Sequence, residues 1–323
     1  MSSRDHESHK KLRQNLHKHW YSFAMPAVGK LVCALSRVLH HGGSALPGKV
    51  IESLDSGFLA RTLASLPYGI VLISGTNGKT TTTRMVTSML RDAGLNVFTN
   101  PTGSNFTRGV VASLAKIMPA FGTKLNADIA VLELDEAYAV HFVNQIKPRY
   151  SLLLNVMRDQ LDRFGEIDTT AKLLSNVAAA TEGTVVLNRE DSRICALAKV
   201  VPSGTCVRYF GLDDAVKSMF PTDDDLHNTA EKSENCKDTA ESKANNLPKA
   251  DVVLSKVGDH EAEFILDGKS KTTSVKLDGA YNIFNAAAAA TVVRAILADA
   301  TKQNSALQKL SLIHISEPTR RTP

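Results

Sequence analysis

The chain has 323 residues, enough for two domains, with 43% hydrophobic and 22% charged residues, ordinary values for a globular protein. Net charge is only +5, and no basic motif interleaved with aromatics supports nucleic acid as a partner. Cys33, Cys195, Cys206 and Cys236 stand apart with no CxxC pair, which argues against a disulfide framework and for a reduced, cytoplasmic setting.

In chain order, Met1 to about Lys18 is polar, without a secretory apolar core. Residues 1–50 hold eight Lys/Arg against two acids and six of the ten histidines. That bias suits an anionic membrane face as well as any other anionic surface. Trp20 to Leu39 has apolar residues at helical spacing and predicts a helix, with Trp20 as a packing anchor. His40-His41 could ligate a metal, but adjacent histidines point apart. Ser44 to Lys49 reads as a turn and Val50 to Leu66 as a short helical connection. Residues 1–66 thus form an N-terminal helical segment. No apolar run approaches the roughly 18 residues of a membrane-spanning helix.

The chain is organised around Ile70 to Thr83, IVLISGTNGKTTTT. A buried strand, Ile70–Ser74, ends at Gly75, and a helix starts near Thr80. Gly75, Thr76, Asn77, Gly78, Lys79, Thr80 and Thr81 lie between them. Glycines allow a tight turn, and the loop N–H groups and the positive helix end converge on one anion site. Lys79 supplies a point charge for β/γ-phosphates and Thr80 a hydroxyl for Mg²⁺. The general P-loop spacing wants a glycine where Ile73 stands, so a narrower motif is at work.

Strand and helix signals then alternate. Strands are predicted at 95–99, 128–133, 150–154 and 184–187, and helices at 80–93, 108–117, 137–145, 168–180 and 192–200. This predicts an α/β fold, a mostly parallel sheet flanked by helices, with ligands beyond the strands' carboxyl ends. Glu133 ends a strand on that edge, as a metal ligand or a helix cap. Asn100, Thr102, Ser104 and Asn105 occupy a loop that faces nucleotide or substrate, or that only turns the chain. Phe210 to Asp251, with ten acids and five Lys/Arg, reads as a mobile insertion, and Asp223–Asp225 as a solvated run. Val252–Val275 reads as a small β-rich hairpin and Asp278–Ala300 as an alanine-rich helix. Residues 67–300 make the central domain. Ser311–Pro323 lacks helix or strand logic and resembles an artefactual read-through, so 301–323 is expected to be the cut-off start of a further domain plus that tail.

GTNGKTT is the phosphate loop of the Mur ligases. SALPGKV (44–50), TNPTGSNFTR (99–108), VLELDE (131–136), NVMRDQLDRFGE (155–166) and GAYNIFN (279–285) follow the family's order. Together they resemble the MurT proteins, Mur-ligase-like subunits of lipid II isoglutaminyl synthase, over about residues 28–300. The resemblance implies a central ATP-binding domain of an ATP-dependent carbon–nitrogen ligase in peptidoglycan synthesis. Its implied reaction activates the D-glutamate α-carboxylate of lipid II as an acyl phosphate. A GatD-like glutaminase partner supplies ammonia, giving D-isoglutamine at the cytoplasmic membrane face.

The resemblance also implies roles. Lys79 and Glu133 are catalytic, Gly75 to Thr81 bind the phosphates of ATP, and Thr80 with Glu133 holds Mg²⁺. Asn282 and Asn285 lie near adenine, or cap the helix. Asp159 and Arg163 order the site, or form a structural ion pair, with Gln160 where other Mur ligases carry histidine. Two departures stand out. The four-cysteine zinc ribbon of many MurT proteins is reduced to Cys206 and Cys236, so no zinc ribbon is expected. The family's C-terminal catalytic aspartate has no counterpart here. The competing readings are an amino-acid-adding ligase of the folylpolyglutamate-synthase type and a non-catalytic nucleotide-binding fragment.

Overall fold

The computed structural model describes residues 21–38, 46–101, 106–157, 166–220, 247–259, 261–276, 279–303 and 315–316. After a 3₁₀ turn at Ser22–Ala24 come α1 (Met25–Val38), α2 (Leu46–Leu54), α3 (Phe58–Ala64), β1 (Ile70–Ser74) and α4 (Lys79–Asp92). Next are β2 (Val97–Thr99), α5 (Thr107–Ile117), β3 (Ile129–Glu133), α6 (Glu136–Val143), β4 (Tyr150–Leu153) and α7 (Glu166–Ala180). The chain continues through β5 (Thr184–Asn188), α8 (Ser192–Ala196), β6 (Cys206–Leu212), β7 (Val252–Val257), β8 (Glu261–Leu266) and β9 (Lys269–Lys276). It closes with α9 (Ala280–Gln303) and β10 (Ile315–Ser316).

The strands form one sheet in the order β10-β9-β8-β7-β6-β5-β4-β1-β3-β2. Pairings from β2 through β7 are parallel, and β7-β8 and β8-β9 are antiparallel. Every residue of β1, β3, β4 and β5 is buried, which explains their continuous apolar runs. Alternation decides which face each side chain serves. Val71, Ile73, Ile129, Val131 and Leu152 join the core under α4 and α9. Ile70, Leu72, Ala130, Leu132 and Leu153 join the core on the other face, which includes side chains of α3, α5, α6 and α7. Each buried Val, Ile or Leu among them stabilises the fold by roughly 1.5–3 kcal/mol.

Helix α9 lies against α4 and the sheet through Ala286 to Ala290, each at most 1% exposed. Small side chains allow this close approach. The stretch Ala280–Lys302 is long and apolar enough to cross a membrane, contrary to the sequence expectation, but its apolar window is 78% buried in the fold.

Several expectations are corrected. The turn expected at Ser44–Lys49 is helical from Leu46. Pro47 is tolerated in the first turn because its missing N–H has no helical partner to lose. Gly48 is needed for proximity: a Cβ there would lie 2.0 Å from the Arg108 carbonyl oxygen. The expected insertion starts later than Phe210, since Phe210 and Leu212 are buried in β6 and Phe220 packs into the core. The expected hairpin at 252–275 is three strands. Its β8-β9 turn has two residues, Asp267 and Gly268, with φ 51° and 74°, the arrangement that matches the twist of paired strands. In the tail, Ile315 and Ser316 pair parallel with Val275 and Lys276, where no strand was expected. Trp20, His40, His41, Asp223–Asp225 and Cys236 lie outside the described residues.

Gly48→Ala is expected to lower unfolding stability by about 1–3 kcal/mol, because backbone rather than a flexible side chain blocks the methyl group. Chemical denaturation of the two proteins checks this.

Candidate functional site

The loop after β1 is held open from below. Gly75 has φ 134° and Gly78 has φ 83°, values that side chains rarely adopt. Gly78 is the N-cap of α4 and makes no side-chain cap, so the first N–H groups of that helix face outward as an anion site. A Cβ on Gly78 would lie 2.4 Å from Asn285 Nδ2. Asn285, 7% exposed, therefore packs directly beneath the loop's tightest point.

Asn155, just beyond β4, clamps the loop. The Asn77 N–H donates to Asn155 Oδ1 at 2.9 Å, and Asn155 Nδ2 donates to the Asn77 carbonyl at 3.1 Å. The Thr76 N–H donates to the Asn155 carbonyl at 3.0 Å. The Met157 N–H donates to Thr76 Oγ1 at 3.2 Å. Thr76 and Asn77 thus take part in the site through loop geometry.

Lys79 Nζ reaches back over the loop. It donates to the carbonyls of Gly75 at 2.6 Å and Thr76 at 3.2 Å, and lies 3.3 Å from Asp135 Oδ1. Thr80 Oγ1 donates to Glu133 Oε1 at 2.9 Å. Glu133 is 4% exposed. Burial pushes its carboxyl above the usual carboxylate range, against the Thr80 hydrogen bond and the Lys79 charge. A buried carboxylate sharing a hydroxyl at the edge of an anion site matches the donor set Mg²⁺ needs, since Mg²⁺ keeps several waters and few protein oxygens. Among the described residues no group of three or more His, Cys, Asp or Glu comes together.

Asn100 was expected to lie in a loop that faces a ligand or that only turns the chain. It is 5% exposed, and its side chain exchanges two 3.0 Å hydrogen bonds with the Glu133 backbone N–H and carbonyl. It positions Glu133 from behind. Thr102, Ser104, Asn105, Asp159 and Arg163 lie outside the described residues. Asn282 and Asn285 are inside α9, which starts at Ala280, so neither is the N-cap of that helix. Both line a cleft of about 410 Å³ beside Asn77 and Gly78. Thr81 follows Thr80 in the first turn of α4.

The cleft includes residues that sequence reading missed. Phe220, Tyr281 and Phe284 form an aromatic wall, with ring centroids 5.6 Å apart for Phe220–Tyr281 and for Phe220–Phe284. Asp191 caps α8 through the Arg193 and Ile194 N–H groups and also accepts the Val156 N–H at 2.8 Å. Burial raises its carboxyl pKa, against those backbone donors. Asn188 Nδ2 donates to the Leu154 carbonyl at 2.9 Å. Signals existed for Asp191, an Asp before the predicted helix at 192–200, and for Tyr281 and Phe284, which lie inside the GAYNIFN motif.

These parts define a class: an α/β domain with a phosphate-type loop on the carboxyl edge of a parallel sheet and a carboxylate from the adjacent strand. The chain belongs to the Mur ligase family, whose middle domain matches residues 73–293. It is 32% identical over 280 residues to the lipid II isoglutaminyl synthase (glutamine-hydrolyzing) subunit MurT of Streptococcus pneumoniae, covering 80% of this chain and 59% of that protein. It is also 32% identical to MurT of Staphylococcus aureus, over 57% of this chain and 40% of that one. The chain thus spans about three-fifths or less of these curated relatives. MurF of Acinetobacter baumannii has the same fold, with a TM-score of 0.55 at 16% identity over 83% of this chain and 50% of MurF. So does MurF of Thermotoga maritima, solved with ADP, at TM-score 0.54 and 18% identity, over 80% of this chain and 50% of that chain.

Asn155→Ala removes two bonds to Asn77 while leaving the backbone bond to Thr76. At about 0.5–1.5 kcal/mol per net hydrogen bond, nucleotide affinity is expected to fall about tenfold. Titration with a fluorescent ATP analogue checks this, and a fall below twofold would show that the loop holds its shape unaided.

Proposed function

We propose that this chain is the nucleotide-binding part of a MurT-type ligase subunit, which uses ATP to activate the D-glutamate α-carboxylate of lipid II for amidation. Ammonia from a glutaminase partner of the GatD type is the nucleophile. The observation that carries the reading is the phosphate loop with Lys79 above it and the Thr80–Glu133 pair at its edge. The similarity to two MurT subunits supports it.

The chemistry needs little from the protein beyond position and charge. A carboxylate resists amines until one oxygen becomes a good leaving group, and phosphorylation makes it one. Phosphoryl transfer is helped mainly by alignment and by neutralising charge on the phosphate oxygens. Loop N–H groups and the α4 N-terminus bind the β-phosphate side. Lys79, tethered at its own loop, needs only a small swing to meet a γ-phosphate oxygen. Thr80 and Glu133 would hold Mg²⁺, which when bound neutralises phosphate charge. Asn282 and Asn285, with the aromatic wall of Phe220, Tyr281 and Phe284, line the space for the base. The lipid substrate implies work at the cytoplasmic face of the membrane.

The test uses the full gene product together with a glutaminase subunit, lipid II, ATP, Mg²⁺ and glutamine, with the stem peptide followed by mass spectrometry. Conversion of the glutamate acid to its amide, with ATP consumed, is expected. A second reading has its own support: UDP-N-acetylmuramoylalanine–D-glutamate ligase of Paraburkholderia phymatum is 31% identical over 49% of this chain and 30% of that protein. Turnover that requires an amino acid, with gain of that residue's mass, would select that reading.

Lys79→Ala is expected to lower product formation by at least a hundredfold and to weaken nucleotide binding. Unchanged ATP binding would show that the loop is not the phosphate site.

A further inference from the structure

Large apolar side chains reach the surface mainly around α1. Phe23, Leu31, Leu35, Val38, Ile117 and Phe121 are 45–76% exposed. Helix α1 packs on α2 and α5. Gly29 marks its packed side, because a Cβ there would lie 2.7 Å from Ala115 Cβ and 2.8 Å from Ile51 Cδ1. Leu31, Leu35 and Val38 follow at i, i+4 and i+7 and share one face. A turn of about 100° per residue sets that face opposite Gly29. The patch continues at the start of the helix. There the Phe23 and Phe121 rings meet with centroids 6.2 Å apart, and the Gly122 N–H donates to the Phe23 carbonyl at 2.9 Å. Ile117 ends α5, four residues before Phe121.

An apolar face of this kind marks an interaction surface, and charge identifies what covers it. From Ser8 to Ile51 the sequence holds seven Lys/Arg and no Asp or Glu. From Ala93 to Ala127 it holds three Lys/Arg and again no acid. These two stretches contain α1 and α5. Lys116 and Lys124 are exposed close in sequence to Ile117 and Phe121, and Lys30 precedes Leu31. The next acids, Glu52 and Asp55, are engaged by Arg108 and Arg61. An apolar face accompanied by cations alone matches an anionic bilayer, where negative headgroups overlie the acyl chains. The apolar stretch Ser22–Ser36 is too short to span a bilayer, so it suits a position in the plane of the interface. Helix α9, from which the chain continues, packs into the core on the other face of the sheet, away from this patch.

We propose that this face docks the protein on anionic phospholipid membranes. Phe23, Leu31, Leu35 and Phe121 enter the boundary between headgroups and acyl chains, and Lys30, Lys116 and Lys124 meet the headgroups. The docking stands on these residues and not on the ligase reading, although a lipid-borne acceptor gives it a use.

The test is flotation of the full chain with vesicles of phosphatidylcholine, either alone or with about a third phosphatidylglycerol. Thermal melting, light scattering and ATP-analogue binding are measured in parallel. Partitioning onto the anionic vesicles is expected to be about tenfold stronger than onto the neutral ones and to weaken with salt. Leu31→Gln with Leu35→Gln is expected to weaken it about tenfold. Lys116→Gln with Lys124→Gln is expected to bring anionic and neutral vesicles to within about threefold of each other. Melting temperature and nucleotide affinity stay unchanged in both variants, because all four side chains are exposed. No flotation of a chain that melts cooperatively, or flotation unmoved by both variants, would overturn the proposal. So would a dimer that the leucine variant dissociates while flotation is unaffected, since a second copy then covers the face. Loss of a co-expressed glutaminase in that variant, with flotation unaffected, would overturn it in favour of a protein partner. ATP-analogue binding reports separately on the phosphate loop, and its failure leaves the docking result standing.

Discussion

The shape of the glycine loop after β1 depends on the reciprocal amide pairing of Asn155 with Asn77. A loop containing two glycines at positive φ has many accessible shapes, and an anion site works only when its N–H groups already converge. The hydrogen bonds between Asn155 and the Thr76–Asn77 backbone select one of those shapes, and Asn285 pressed against Gly78 closes the space below. Asn155 follows β4, whose residues are buried on both faces. The loop's conformation is thus referred to the sheet, the least deformable part of the molecule.

The same device appears a second time. Glu133 ends β3 and is buried, which raises the cost of its charge. Its backbone is fixed by Asn100 and its side chain by Thr80. Three neighbouring strands, β1, β3 and β4, thereby deliver a glycine loop, a carboxylate and a clamp to one edge. Parallel strands make this possible because every carboxyl end points the same way. Antiparallel pairing is confined to β7, β8 and β9, away from these strands in the sheet order.

The central sheet was legible because strands buried on both faces read as unbroken apolar runs, and the turn from β1 into α4 because its glycines mark a tight loop between strand and helix. Less legible were contacts made through space. Asn155 lay inside a motif that was read for its resemblance, yet nothing local marks an asparagine that bonds a backbone 78 residues away. Asn100 was read as facing a ligand or as turning the chain; that its amide bonds the Glu133 backbone is a pairing set by strand order. Strand β6 was missed because its first half is partly exposed and its second half runs into an acidic stretch. Gly48 read as a turn residue, though its role is to let α2 approach the Arg108 backbone.

The hydrogen bonds of Lys79 bear on selectivity. Its ammonium group is served by the Gly75 and Thr76 carbonyls and by Asp135, and it is mostly buried. Turning toward a ligand costs it part of this set. A neutral ligand offers weaker acceptors than it gives up, so it gains little from the lysine. A polyanion offers charge-assisted bonds in a partly dehydrated site, where such bonds are about twice as strong as neutral ones. On the proposed function, the self-satisfied lysine would favour ligands whose charge outweighs what the loop already provides. Asp135 adds to this set and stands at the N-cap of α6, so the lysine is also referred to the end of β3.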